Sequence, residues 1–229
     1  MYRNGENAVK LNGLNIAGAI FDMDGTLLDS MGAWYDAGSR YMRSLGMTPP
    51  PSLNHDLLRM TLAEAAAHMQ ALGVNKPVEE IHAGFNSVMD EFYACQVRAR
   101  PGVAEFLARL SSAGVRICVA TASDRYQVEM GLAHAGLARY IERIFTCTEL
   151  HTGKHEPAIF NAAREFMGTD KSATWVFEDA RHAACTAKNA GYRVCGVFDP
   201  SEPAQSGLRA AADVYVKSFE EFAQQNING

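Results

Sequence analysis

Two aspartates stand two positions apart in Phe21-Asp22-Met23-Asp24-Gly25-Thr26, directly behind the small, apolar run Ala17-Gly18-Ala19-Ile20. Further on, other apolar runs end in reactive groups of their own. Val115–Ala120 is followed by Thr121-Ala122-Ser123-Asp124, Ile144–Cys147 by Thr152-Gly153-Lys154, and Thr174–Phe177 by Glu178-Asp179. Hydroxyls, one ammonium and a set of carboxylates are therefore offered by separate segments. Carboxylates gathered in one place repel and raise each other's pKa unless a cation joins them. A hard divalent ion with oxygen ligands answers that need, and Mg²⁺ suits a site that also holds water and a phosphate. A calcium EF-hand loop beginning at Asp22 is excluded: its sixth position would be Leu27 instead of Gly, and its twelfth Ala33 instead of Glu. A nucleotide-sugar transferase DxD site would leave Thr121, Lys154 and the Glu178-Asp179 pair without a purpose.

These groups converge only if a scaffold brings the segment ends together. From position 100 onward the pattern alternates. Val103, Phe106, Leu107 and Leu110 recur at helical spacing up to Gly114, and Val115–Ala120 reads as a strand. A helix over about 128–135, a strand at 144–147, a helix carrying Ile159, Phe160, Ala163, Phe166 and Met167, and a strand at 174–177 follow. A helix over 181–190, a strand over 193–198 and an edge strand at 214–216 before a last helix complete the series. The strands are almost continuously apolar, as in a parallel sheet covered by helices on both faces. Residues 16–22 read as one more such strand. In open sheets of this kind ligands bind beyond the carboxyl ends of the strands, where the reactive groups fall.

Residues 30–98 differ. They show helical periodicity over 39–45, 57–72 and 78–92, with Pro49-Pro50-Pro51 as a separator, and no strand. The expected organisation is an α/β core of residues 16–29 and 99–229, an all-helical insert of residues 30–98, and an N-terminal extension of residues 1–15. The chain has 229 residues, 48% hydrophobic and 21% charged, with a net charge of −5. That composition supports a globular core and argues against nucleic acid or an anionic membrane as the principal partner. Five cysteines, an odd number with no CxxC, read as free thiols in a reducing compartment. No apolar run approaches membrane-spanning length and the first fifteen residues lack a signal-peptide core, so a cytoplasmic protein is expected.

FDMDGTLLDS, VATAS, GKHEPAIF and VFEDA, in that order, resemble the four signature motifs of the haloacid dehalogenase (HAD) superfamily. The helical insert after the first motif is similar to that family's type 1 cap, as in its β-phosphoglucomutase and phosphoglycolate phosphatase branch. The resemblance implies a Rossmann-like core with a helical cap, a Mg²⁺ cofactor and hydrolysis of a small phosphate ester. It matches Asp22 to a nucleophile that forms an aspartyl-phosphate. Asp24 matches the general acid/base, with its backbone carbonyl on the metal. Thr121 and the Ala122 backbone match phosphate-oxygen donors, and Lys154 the cation facing nucleophile and phosphoryl group. Asp179 matches a direct metal ligand and Glu178 a direct or water-mediated one. Ser123 reads as a helix cap and Thr26 as a structural hydroxyl of the loop. His151 and His155 form a conceivable HxxxH pair that the carboxylates make unnecessary, and His182 reads as solvated or as a helix cap.

The sequence also departs from the branch's pattern. The third motif commonly reads Lys-Pro-x-Pro-Asp, and Ala158 occupies the Asp position, with Glu156 a conceivable substitute. Trp34 stands where sugar phosphomutases of this branch carry a His. Leu62 stands where their cap Arg grips a second phosphate, with Arg59 nearby but out of register. Both departures favour hydrolysis over isomerisation. Met31 and Trp34 open the insert and are expected at a wall over the leaving group, or in packing. The expected activity is that of a phosphoric monoester hydrolase on a sugar or polyol phosphate, as a monomer or homodimer. A sugar phosphomutase and a non-catalytic phosphate- or metal-binding protein are the alternatives.

Overall fold

The computed structural model describes residues 9–11, 14–57, 60 and 62–223. The chain forms two compact units, Met1–Asp29 with Arg98–Gly229, and Ser30–Val97. Arg98 therefore sits with the larger unit.

The strands of the larger unit are β1 (Val9–Leu11), β2 (Leu14–Ile16), β3 (Gly18–Phe21), β4 (Arg116–Thr121), β5 (Arg143–Thr146), β6 (Thr174–Glu178), β7 (Arg193–Val197) and β8 (Val214–Val216). The N-terminal segment contributes an antiparallel pair, β1 with β2. It is tied to the core by the Trp175 indole N–H, which donates to the Asn15 carbonyl at 3.1 Å. The other six strands form one sheet in the order β5-β4-β3-β6-β7-β8, and every neighbouring pair is parallel.

The helices of the smaller unit are α1 (Met31–Ser44), α2 (Leu53–Leu57), α3 (Leu62–Ala71) and α4 (Val78–Cys95). Those of the larger unit are α5 (Val103–Ser112), α6 (Arg125–His134), α7 (Cys147–Leu150), α8 (Ala158–Met167), α9 (Arg181–Asn189), α10 (Gln205–Ala211) and α11 (Glu220–Ala223).

Strand pleating sorts the core into two layers, since successive side chains point to opposite faces. Phe21 and Phe177 stack at 4.3 Å between ring centroids on one face, joined by Phe106 of α5, Phe219 and Phe222. Ile20, Cys118, Ala120, Val176 and Val194 point the other way, onto Ile159, Phe160 and Ala163 of α8 and Ala183, Ala184 and Ala187 of α9. With helices on both faces, β3 and β6 are buried at every residue. That is the physical reason the strands read as unbroken apolar runs instead of alternating ones.

The chain goes from β3 to β4 and β5 on one side, then crosses back from β5 to β6 on the other. The carboxyl end of β3 is therefore the switch point of the sheet, the place where open parallel sheets hold ligands. Phe21 pairs with Val119 and with Phe177, so Asp22 comes level with Glu178.

Local chemistry moves several boundaries. The sequence predicts a strand through Cys147, but β5 ends at Thr146. The Thr146 hydroxyl accepts the Glu149 N–H at 3.2 Å and starts α7, so Cys147 is helical and only half-buried. The helix predicted over 57–72 is shorter: α3 runs over Leu62–Ala71, and Leu57 is the last residue of α2. α1 begins at Met31, eight residues before the predicted start, because Ala33, Ala37 and Tyr41, four residues apart, make a buried stripe that Gly32 and Asp36 obscure in the sequence. Within this unit the Trp34 indole N–H donates to the Tyr93 hydroxyl at 3.0 Å, bonding α1 to α4.

Candidate active site

Asp22 follows β3 directly, and its N–H continues the ladder by donating to the Phe177 carbonyl at 3.0 Å. Asp22 is 8% exposed. Lys154, in the loop between α7 and α8, reaches the same point. Its ammonium donates to Asp22 Oδ1 and to Glu178 Oε1, the second at 2.5 Å. Glu178 ends β6 and is buried, and its other oxygen accepts the Ala180 N–H at 3.3 Å. Asp179, the next residue, is also buried. Its Oδ1 accepts the hydroxyl of the wholly buried Thr26 at 3.0 Å. Thr26 thus has the structural place expected of it, and its particular task is to orient Asp179.

The electrostatics of this group are unbalanced. One carboxylate oxygen from each of Asp22, Glu178 and Asp179 lies within 4.8 Å of the others. If all three ionise, they carry three negative charges against the single charge of Lys154. Burial pushes the Glu178 carboxyl up to about 7, Lys154 opposing and Asp22 adding to the rise. Burial, then Asp22, then Glu178 hold Asp179 well above the usual carboxylate range. Burial works against the Lys154 charge, but Asp22 and Glu178 outweigh it and keep the ammonium above its ordinary pKa. Two uncompensated negative charges among oxygen donors fit a hard divalent cation, which the same three residues would hold. Among the described residues this trio is the group with that geometry; His151 and His155 are not part of it and are exposed, as is His182.

Asp24 lies half-buried beside a second strand end. Its Oδ2 accepts the Ser123 hydroxyl at 2.6 Å, and the Ser123 N–H donates to Thr121 Oγ1 at 3.1 Å. The cap reading of Ser123 is corrected by this bond. Asp124, not Ser123, precedes α6, and no side chain caps that helix. Ser123 is legible in the sequence as a hydroxyl just after a strand, but its partner lies 99 residues away. Thr121 is 1% exposed at the end of β4, and Ala122 follows on the surface.

The remaining candidates are placed as follows. Ala158 is the first residue of α8, exposed, and Glu156 accepts the Thr152 hydroxyl at 3.2 Å. Lys154 is thus oriented by Asp22 and Glu178, with Glu156 engaged elsewhere. Met31 and Trp34 belong to α1 of the smaller unit, both half-buried. Arg59 lies outside the described residues.

Known proteins place this arrangement. A phosphorylated carbohydrates phosphatase of Thermotoga maritima is 25% identical over 88% of this chain and 94% of its own length. A validoxylamine A 7'-phosphate phosphatase of Streptomyces hygroscopicus subsp. limoneus is 27% identical over 91% of this chain and 97% of its own. Among solved structures, a putative β-phosphoglucomutase from Thermotoga maritima superposes with a TM-score of 0.80 at 24% identity, covering 90% of this chain and 96% of that one. CbbY from Rhodobacter sphaeroides, solved in complex with phosphate, gives 0.74 at 23% identity with the same coverage. The haloacid dehalogenase-like hydrolase family model matches residues 19–197, a span that holds all four strand ends, and the chain belongs to that family.

Proposed function

We propose that this chain is a Mg²⁺-dependent phosphatase of a small phosphorylated metabolite, a sugar or polyol phosphate, working through an aspartyl-phosphate on Asp22. The observation that carries the reading is the buried Asp22 carboxylate, held by Lys154 beside two further acidic groups, with Asp24 two residues away on a separate bond to Ser123. Relatives whose names specify phosphatases of phosphorylated carbohydrates and of validoxylamine A 7'-phosphate support the substrate class.

The chemistry divides into two displacements. An Asp22 oxygen attacks phosphorus as the ester P–O bond breaks, and Asp24 gives its proton to the departing alkoxide. Asp24 then takes a proton from water, whose oxygen bonds to phosphorus as the Asp22–phosphorus bond breaks. Phosphate and the original enzyme are the products. Lys154 offsets the charge that builds on the phosphoryl oxygens. The Thr121 hydroxyl and the Ala122 N–H are the donors assigned to those oxygens. Bound by Asp22, Glu178, Asp179 and the Asp24 carbonyl, a divalent ion would neutralise the acidic pocket toward an anionic ester. Small, hard Mg²⁺ fits an all-oxygen set that leaves positions for water and phosphate.

A phosphomutase is the second reading, favoured by the fold shared with the putative β-phosphoglucomutase. Trp34, whose indole N–H is committed to Tyr93, replaces the histidine that reading wants. A Mg²⁺-supplemented panel of phosphate esters tests the choice. Phosphate release that Asp22→Asn abolishes supports the phosphatase. Isomerisation of a hexose 1-phosphate that requires a bisphosphate would establish the mutase instead.

A further inference from the structure

Arg100 takes no part in the chemistry above, yet its side chain makes three hydrogen bonds to groups far away in the sequence. It stands where the chain has just returned from the helical insert, and its side chain is 12% exposed. One guanidinium nitrogen donates to the Gly25 carbonyl at 2.7 Å and to the Asp199 carboxylate at 2.5 Å; the other donates to the Phe198 carbonyl. Two loops are thus bridged: the turn after the paired aspartates, and the segment after β7.

The far end of this bridge is rigid. Asp199 is 2% exposed, and its carboxylate also accepts the Ser201 N–H at 2.8 Å and the Ser201 hydroxyl at 2.6 Å. Its carbonyl accepts from Gln205 at 2.5 Å, and Gln205 in turn accepts the Tyr215 hydroxyl at 2.7 Å, which reaches β8. The near end is the residue after Asp24. Gly25 has φ of +80°, a region only glycine enters freely, and its N–H donates to the Leu28 carbonyl at 3.0 Å. The Arg100 backbone N–H adds a bond to the Leu27 carbonyl at 2.9 Å. Gly25 is the most mobile residue type, and it is held at both its N–H and its carbonyl.

We infer that Arg100 is a positioning residue: by clamping the Gly25 carbonyl to the Asp199 anchor it fixes the direction in which Asp24 presents its carboxylate. The inference rests on the acid/base role proposed for Asp24. One guanidinium nitrogen makes both bridging bonds and the second adds the Phe198 carbonyl, so the planar group holds three acceptors in one fixed geometry, where a lysine ammonium would be a flexible point charge. A misplacement of about 1 Å at a reacting group is enough to lower turnover by about a hundredfold.

The test compares the parent, Arg100→Lys, Arg100→Ala and Asp199→Asn as full chains, by hydrogen–deuterium exchange of the 22–29 segment and by hydrolysis of p-nitrophenyl phosphate with Mg²⁺. Exchange in that segment should quicken in every variant. In Arg100→Lys kcat should fall by about 10–100-fold, with KM and the half-saturating Mg²⁺ concentration within about twofold of the parent. Added guanidinium at non-denaturing concentration should restore part of the Arg100→Ala turnover and none in Asp22→Asn. A purely structural tie would lower the melting temperature and leave kcat of the folded protein alone. Unchanged exchange overturns the clamp, and faster exchange at parental kcat overturns its positioning role. A parent inactive on every ester counts against the phosphatase reading, and the exchange comparison then decides the clamp by itself. Should Arg100→Lys unfold, Asp199→Asn carries the same comparison, since it removes the anchor and keeps the arginine.

Discussion

Removing Lys154 is the perturbation for which the structure gives the clearest magnitude. In Lys154→Met the stem still fills its space, but Asp22 and Glu178 lose their shared donor in surroundings where each is at most 8% exposed. Breaking a buried charge pair by deleting one partner costs about 3–5 kcal/mol. For a chain of this size each kcal/mol lowers the melting temperature by about 2–4 °C. The metal-free variant should therefore melt about 6–20 °C below the parent at pH 8. Two features separate this mechanism from a simple packing defect. The gap should narrow on going to pH 6, since protonating Glu178 removes one stranded charge. It should narrow again on adding Glu178→Gln, because the double variant strands one carboxylate instead of two. Mg²⁺ should also raise the variant's melting temperature more than the parent's, because the ion meets one more uncompensated charge. Turnover should drop about 10²–10³-fold. Differential scanning fluorimetry with and without chelator measures the melting temperatures, and phosphate release from an ester measures the turnover. A metal-free variant that melts within about 2 °C of the parent at pH 8, or a gap independent of pH, would refute the electrostatic account.

Three other outcomes follow from named contacts. Glu178 titrates near 7 in the folded chain against 4.5 ordinarily, so the folded state holds the proton more tightly. Stability of the metal-free protein should fall as pH rises from about 4.5 to about 7, and saturating Mg²⁺ should flatten that slope; a metal-free melting temperature that climbs through this window would contradict it. Ser123→Ala removes a hydroxyl donor from Asp24, and a net loss of about 1.5 kcal/mol predicts kcat about tenfold lower with the ester's KM retained; an unchanged kcat would show that the bond has no part in turnover. Gly102→Ala combines φ of +79° with a Cβ only 2.3 Å from the Glu220 nitrogen, so it should cost at least about 2 kcal/mol and lower the melting temperature by about 4–8 °C, as urea or thermal unfolding would report.

Much of the architecture is visible in the sequence because burial on both faces leaves a local mark. Runs such as Ile117–Ala120 and Trp175–Phe177 have no polar face to keep, so they read as strands without any partner in view. The residues behind them, Asp22, Thr121 and Glu178-Asp179, are recognisable for the same reason: polar groups abut apolar runs, whereas Lys154 lies in a loop beyond a short helix. What the sequence hides depends on pairing across distance. The central place of β3 follows from crossover direction, which no periodicity encodes. Ser123 looked like a cap because Asp24 lies far away in the chain, and Arg100 gave no signal because its acceptors are two carbonyls and one distant carboxylate. The strand end at Thr146 turned on a single side-chain bond.

The central claim is a covalent aspartyl-phosphate at Asp22. The direct measurement is acid quenching of the enzyme during turnover of a phosphate ester with Mg²⁺, borohydride reduction of any acyl phosphate, and mass spectrometry of the peptide containing residues 21–28. Homoserine is expected at position 22, dependent on both ester and metal and absent from Asp22→Asn. Steady turnover with position 22 unmodified, or with the label on Asp24 or Asp179, would contradict it.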